Sequence, residues 1–273
     1  MTVFKIAVLL TVHNRKDKTL ECLKRLYSCS FPEGVTFDVF LTDDGCTDGT
    51  AQSVRDSFPE VVIVEGDGNL FWNRGMIAAW EAADRQGQYD AYLWLNDDTF
   101  VFGSMPAVMF NCAERHPDSI IVGAICSEKD GDITYGGTIK DKHFVPDGND
   151  LRVETLNGNV VLVPSSVKEK IGILDRRFSH AMGDTEYGFR ARKYGIEVWQ
   201  SPEYVGTCEL HDRKPDWCNP EVPFRKRWKS LYSPLGCNPK QFFICDRHNG
   251  LIKACFHYCS IHVRAMFPGL WHK

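Results

Sequence analysis

Apolar positions in the first half of the chain fall into short unbroken runs, each closed by a polar cluster. Ile6-Ala7-Val8-Leu9-Leu10-Thr11-Val12 ends at His13-Asn14-Arg15. Such a run fits a strand buried on both faces of a parallel sheet. Leu20, Leu23 and Leu26 then repeat at helical spacing within Thr19–Cys29, with Lys24 and Arg25 on the outside. A second strand, Phe37–Thr42, stops at Asp43-Asp44-Gly45-Cys46-Thr47-Asp48-Gly49-Thr50. The same reading gives a helix at Ala51–Phe58, a strand at Val61–Val64, a helix from about Arg74 to Arg85 and a strand at Ala91–Leu95. Looser, turn-rich sequence from about Ser127 to Asp150 holds short strands around Thr134–Thr138. Strands at Asn159–Val163 and Glu197–Trp199 flank a helix near Asp184–Tyr194.

Alternating strands and helices predict an α/β fold on a mostly parallel central sheet, with ligands met at the strand C-termini. After Gly206 the alternation stops. A Pro-interrupted stretch, Lys214 to Pro239, precedes one long helix from about Lys240 to Met266.

Charge divides along the same line. The net charge of −4 argues against a nucleic-acid partner, which calls for a basic footprint. Residues 206–273 carry eleven Lys+Arg against five Asp+Glu, a balance of +6 that leaves −10 for residues 1–205. Six of the eleven cysteines lie in this tail, with no CxxC pair and no zinc-finger spacing, as expected of free thiols in a reducing cytosol. The first residues run straight into a strand, and no apolar run reaches the ~20 residues of a spanning helix. A cytosolic location is the expectation.

The candidate chemistry is carboxylate at strand ends. Neither GxxxxGK[ST] nor GxGxxG is present. Instead Leu93-Trp94-Leu95-Asn96-Asp97-Asp98-Thr99 puts two acids directly after a buried strand, and Asp43-Asp44 repeats the arrangement. Carboxylates so placed can hold Mg2+ or Mn2+, and the ion lets an acidic protein accept a diphosphate. In Gly183-Asp184-Thr185-Glu186, the acids favour a helix N-terminus, and Asp184 is placed to act as a general base. Arg190, four residues beyond Glu186, can pair with it along the helix.

Together these segments resemble the family 2 glycosyltransferases of the GT-A fold, inverting and rhamnosyltransferase-like. Thr11-Val12-His13-Asn14-Arg15 and Asp43–Thr50 are similar to the family's opening motifs, and Gly68–Gly75 to its donor-loop and helix-start segment. Asn96-Asp97-Asp98 stands where the family carries its metal-binding DxD, and Gly183–Glu186 followed by Arg190 where it carries an acidic ED-x-D…R signature. The resemblance covers roughly residues 5–212 in family order. It implies that Thr11, His13, Asn14, Arg15 and Asp43 line the base and ribose pocket, with Asp44, Asn69, Trp72 and Arg74 also on the donor side. Asp98 would hold a divalent cation on the diphosphate, supported by Asp97 or Asn96. Asp184 would activate the acceptor hydroxyl, and His211 falls where some relatives carry a further metal or phosphate ligand.

The implied reaction transfers a sugar from a nucleotide-diphosphate donor to a glycan or lipid-linked acceptor, in cell-surface polysaccharide synthesis. The sequence departs from the pattern at Asn96, Gly183 and Glu186, which replace Asp, Glu and Asp.

Residues 1–212 then form the catalytic domain, and 213–273 a basic helical extension that docks on the acceptor or on the cytosolic face of a membrane. Basic residues interleaved with apolar and aromatic ones, closed by Phe267-Pro268-Gly269-Leu270-Trp271, read as an interfacial element. Two other readings compete. A sugar-phosphate nucleotidyltransferase wants a Gly-bearing loop after the first strand, which Thr11–Lys16 lacks. A non-catalytic nucleotide-sugar or glycan binder on the same fold would be indifferent to Asp184→Asn.

Overall fold

Alternate residues of the first strand face opposite ways, and each set seeds one of the two main cores. The computed structural model describes residues 3–210 and 215–270. Its first half runs β1 (Phe4–Val12), α1 (Lys16–Tyr27), β2 (Val35–Asp43), α2 (Thr50–Ser57), β3 (Val62–Glu65), α3 (Phe71–Gln86) and β4 (Ala91–Leu95). Next come β5 (Phe100–Val101), α4 (Met105–Arg115) and β6 (Ile120–Cys126). Five short strands follow: β7 (Ile133–Tyr135), β8 (Gly137–Ile139), β9 (Lys142–His143), β10 (Leu151–Val153) and β11 (Thr155–Leu156). β12 (Val160–Pro164), α5 (Ser165–Ile171), α6 (Gly183–Lys193) and β13 (Val198–Thr207) complete the body, followed by α7 (Phe224–Leu231), α8 (Pro239–Asp246) and α9 (Leu251–Met266).

The central sheet has the order β10-β13-β6-β12-β4-β1-β2-β3. β3, β2, β1 and β4 are mutually parallel, and β6 pairs parallel with β13. β12 runs antiparallel between β4 and β6, so six of the eight strands point one way. Ile6, Val8, Leu10 and Val12 enter one core, with Leu23 and Leu26 of α1 and Met105 and Met109 of α4. Ala7 and Leu9 enter the other, with Met76 and Trp80 of α3 and Tyr187 of α6. This is the period-2 geometry of a strand covered on both faces. Trp80 and Trp94 are both fully buried and meet edge to face at 5.7 Å.

The C-terminal helix expected from Lys240 to Met266 is two helices. α8 ends at Asp246, a 3-10 turn spans Arg247–Asn249, and Gly250 takes φ 112° before α9 starts. A left-handed glycine between two helical stretches is a break that periodicity alone does not show. The Pro-interrupted stretch before it contains α7. The extension is seated on the body: Cys245 packs with Phe178 and Phe189, and Gln241 bonds to Ser179 and to the carbonyl of Arg177.

Candidate active site

The parallel half of the sheet brings the C-termini of β1, β2 and β4 to one edge, with Val12 paired to Asp43. Beyond β1 the chain turns sharply at Asn14, whose φ is 52°. Its side-chain oxygen accepts from the backbone N–H of Thr47 at 2.7 Å, tying the two post-strand loops together. His13 Nδ1 lies 2.6 Å from the carbonyl oxygen of Asp44, which can only accept, so Nδ1 carries the proton. Nε2 faces Asn14 Nδ2 at 3.2 Å, so both ring nitrogens are engaged and the ring orientation is fixed.

Arg15 reaches across the mouth of the sheet. Its Nη1 donates to Asp98 Oδ2 at 2.8 Å and to Asp97 Oδ1 at 3.2 Å. A guanidinium thus rests on the acid pair that closes β4. Asn96, the first residue of that motif, is committed elsewhere: its Oδ1 accepts from Trp72 Nε1 at 2.7 Å.

The two acids after β2 also hold loops. Asp43 Oδ1 accepts from the N–H of Cys46 at 2.7 Å. Asp44, 3% exposed, accepts from three amides of one loop, Gly68 (2.9 Å), Leu70 (3.1 Å) and Phe71 (2.8 Å). A carboxylate satisfied by three N–H groups is a strong local organiser. It fixes Phe71 at φ 56°, a strained value for a bulky residue, at the start of α3. Asn69 lies at the exposed rim, bonded to Asp67, and Arg74 Nε reaches the carbonyl of Arg176 at 3.4 Å.

α6 supplies the third acid. Asp184 Oδ2 accepts from the N–H of Gly158 at 3.0 Å and Oδ1 from the N–H of Thr185 at 2.7 Å. Glu186, 2% exposed, pairs with Arg190 at 3.0 Å, the helical pair expected from their spacing. Arg190 also donates to the carbonyls of Ile171 and Ile173, so this pair clamps α6 to the preceding loop. His248 of the extension joins Glu186 at 3.3 Å. Gly183 has a steric cause: a Cβ there would collide with Oδ1 of the buried Asn73. Asn73 in turn donates to the carbonyls of Asp175 and Phe178, docking the 175–179 loop on α3.

These elements enclose a cavity of about 280 Å3. Thr11, His13, Arg15 and Asp44 line it from the β1 and β2 side, and Phe71, Trp72 and Asp97 from α3 and β4. Gly68, His180 and Leu235 complete the wall. Of the residues singled out from sequence, Asn14, Asp43, Asn69, Arg74 and Asp98 stand outside this lining: the first four shape the loops, and Asp98 meets the cavity through Arg15. Asp184 sits one step behind the wall, on Gly158, whose α-carbon lies against the Trp72 ring. His211 lies outside the described residues. Sequence reasoning missed Phe71, Asn73, His180 and Leu235; the nearest signal was the aromatic pair Phe71-Trp72 just before a helix.

Burial dominates the electrostatics. It pushes the Asp97 carboxyl up to about 7; Arg15 opposes the shift and the neighbouring Asp98 adds to it. Burial alone would lower Arg15, but Asp97 and Asp98 outweigh it and hold the guanidinium above its ordinary value. Asp184 keeps some surface in solvent, yet its carboxyl is enclosed and therefore raised above 3.8, against the pull of the Thr185 and Gly158 amides. The Asp97–Asp98 pair offers hard oxygen donors, and Asp97 Oδ2 is buried without a hydrogen-bond partner among the described residues. That donor set fits a divalent cation of the Mg2+ or Mn2+ kind.

A mostly parallel sheet with an acid-bearing cleft at its strand C-termini is what these elements build. Residues 7–218 match the model of glycosyl transferase family 2, and the chain belongs to that family; it is a glycosyltransferase with the GT-A fold. It is 25% identical over 256 positions to an N-acetylglucosaminyl-diphospho-decaprenol L-rhamnosyltransferase of Mycobacterium tuberculosis, covering 79% of this chain and 77% of that one. Among solved structures it is similar to S. aureus TarS in complex with UDP-GlcNAc, with TM-score 0.60 and 12% identity over 98% of this chain and 88% of that one. A mannosyltransferase from Pyrobaculum calidifontis in complex with GDP-Man and Mn2+ has TM-score 0.55 and 15% identity, over 97% and 82% of the two chains.

Proposed function

We propose that the protein transfers a sugar from a nucleotide-diphosphate donor to a glycan or lipid-linked acceptor by a metal-dependent, inverting displacement, in the building of a surface polysaccharide. The observation that carries this reading is the convergence of Thr11, His13, Arg15 and Asp97 on one cavity, with Asp184 behind its wall. Thr11, His13 and Arg15 would receive the nucleotide, while Asp44 keeps the Gly68–Phe71 loop in place as the other side of the slot.

Asp98 and Asp97 would hold Mg2+ or Mn2+. Such an ion, when bound, supplies charge neutralisation for the leaving diphosphate. Asp184 would take the proton of the acceptor hydroxyl; its raised pKa suits a base working nearer neutral pH than an ordinary carboxylate. Glu186 and Arg190 would hold α6, and hence Asp184, in position. The match to an N-acetylglucosaminyl-diphospho-decaprenol L-rhamnosyltransferase supports a lipid-linked acceptor; an enzyme acting on such an acceptor would work at the cytosolic membrane face. Residues 1–212 would carry the chemistry and 213–273 the acceptor side, with Leu235 reaching from the second unit into the cavity wall.

The test is turnover of a panel of nucleotide sugars with Mn2+, with Mg2+ and with EDTA. Turnover should require the ion and be lost in Asp98→Ala and Asp184→Asn. Transfer that survives EDTA and Asp98→Ala would refute the metal assignment.

A further inference from the structure

α9 is amphipathic in the unusual sense that its apolar stripe faces outward. Ala254, Ile261 and Ala265 form its buried side, and Ile261 and Ala265 pack with Leu231 of α7 and with Cys237. On the opposite side Ile252 and Phe256 are each 78% exposed, Val263 36%, Met266 39% and Phe267 58%. Cys255 and Cys259 are exposed as well. On a 3.6-residue period all seven fall within about 60° of one line along the helix, a stripe roughly 24 Å long. Scattered exposed hydrophobics need no explanation, but a continuous stripe does.

Its surroundings indicate what covers it. From Arg247 to Lys273 the chain has no Asp or Glu, and α9 itself carries Lys253 and Arg264. Both lie about 100–120° round the helix from Ile252, on one flank of the stripe. α7 is locked alongside, through Arg227 Nε on the carbonyl of Ala265 at 2.9 Å and Tyr232 Oη on His262 Nε2 at 2.7 Å. It carries the exposed Arg225 and Lys229. A second copy brought face to face would set cations against cations. An anionic bilayer answers both features, taking the stripe into the acyl boundary and the exposed Lys253, Arg225 and Lys229 heads at its phosphates.

We infer that the outward face of α9 is a docking surface for an anionic lipid bilayer. The inference rests on the reading of a lipid-linked acceptor and sharpens it, because Leu235, between α7 and α8, lines the catalytic cavity. The block that meets the lipid is thus the block that closes the site.

Co-sedimentation of the full chain with phosphatidylcholine vesicles, and with vesicles containing about a third phosphatidylglycerol, tests it. The wild type should sediment with the anionic vesicles, less so as salt rises. Ile252→Glu, Phe256→Glu and, independently, Val263→Glu should each lower partitioning about tenfold or more while melting at the wild-type temperature. Lys253→Glu with Lys229→Glu should abolish the preference for anionic over neutral vesicles. Wild type that stays in the supernatant, or stripe variants that sediment like wild type, would overturn the inference. So would a wild-type dimer in sedimentation velocity that Phe256→Glu converts to monomer, for then the face belongs to a second copy. Donor hydrolysis in the absence of vesicles should be the same in wild type and the stripe variants. Its absence from wild type would count against the proposed function and leave the vesicle result standing.

Discussion

Arg15 and Asp184 pose opposite problems at the scale of single side chains. Arg15 is partly exposed and compensates two buried carboxylates. Removing it leaves Asp97 and Asp98 facing each other in a poorly solvated place. Arg15→Ala should therefore destabilise the metal-free protein by about 1–3 kcal/mol, a buried-pair cost discounted for solvent at the guanidinium. Thermal melts check this, and added Mn2+ should recover more stability in the variant than in wild type. Asp184 is raised by burial, so the native state holds its proton more tightly than the unfolded chain does. Its contribution to stability is complete below pH ~4 and is lost as pH rises through the native pKa. Activity runs the other way, because only the ionised form accepts a proton. kcat/KM should climb with pH across the window in which stability falls. Asp184→Asn should flatten that stability slope and lower kcat by about 10²–10⁴ with donor binding retained, read by equilibrium titration of donor beside steady-state rates.

At the scale of elements, α3 owes its depth to Gly75. A Cβ there would strike the Thr11 side chain, and the Gly75 carbonyl accepts from Thr42 Oγ1 at 2.8 Å. Gly75→Ala should push α3 off β1 and β2 at a cost of about 1–3 kcal/mol, with a larger loss of donor affinity than the stability loss explains, because Phe71 and Trp72 move with the helix. Denaturant titration beside donor titration separates the two effects.

β1, β2 and β4 were legible in the chain because the stretches buried on both faces are nearly unbroken apolar runs, and the acids closing β2 and β4 stood out by contrast. α7 was not, since its buried residues are only Arg227 and Leu231 and its sequence reads as a charged linker. β12 was found, but its antiparallel course was not, because an apolar run looks alike in either direction. The candidate acids were visible one by one. Their partners were not: Arg15 meets Asp97 across 82 positions, and Asn73 meets Phe178 across 105. Pairings of that span follow from strand order, and no local pattern encodes strand order.

The division seen in the charges, acidic body and basic tail, does not make two loosely joined parts of the whole molecule. Cys245 sits with Phe178 and Phe189, His248 reaches Glu186, and Arg192 donates to Asn249 at 2.9 Å. The helix that carries Asp184 is therefore held from the tail side as well as from the sheet. Truncation after Gly236 should expose Phe178 and Phe189, lower the melting temperature by several degrees and abolish turnover even on a water-soluble acceptor. A detachable tail would leave that turnover intact, so the same assay decides between the two. Among the described residues no helix is long and apolar enough to cross a membrane.

The steric lock between Gly183 and Asn73 has a consequence for descent. An acid restored at position 183 runs into Asn73, and Asn73 truncated alone unties the 175–179 loop from α3. Neither single change is an easy intermediate, so the two positions constrain the order in which substitutions can accumulate. Lineages sharing this glycine should keep the asparagine with it, and an exchange at one site should be tolerated only where the other has already shifted.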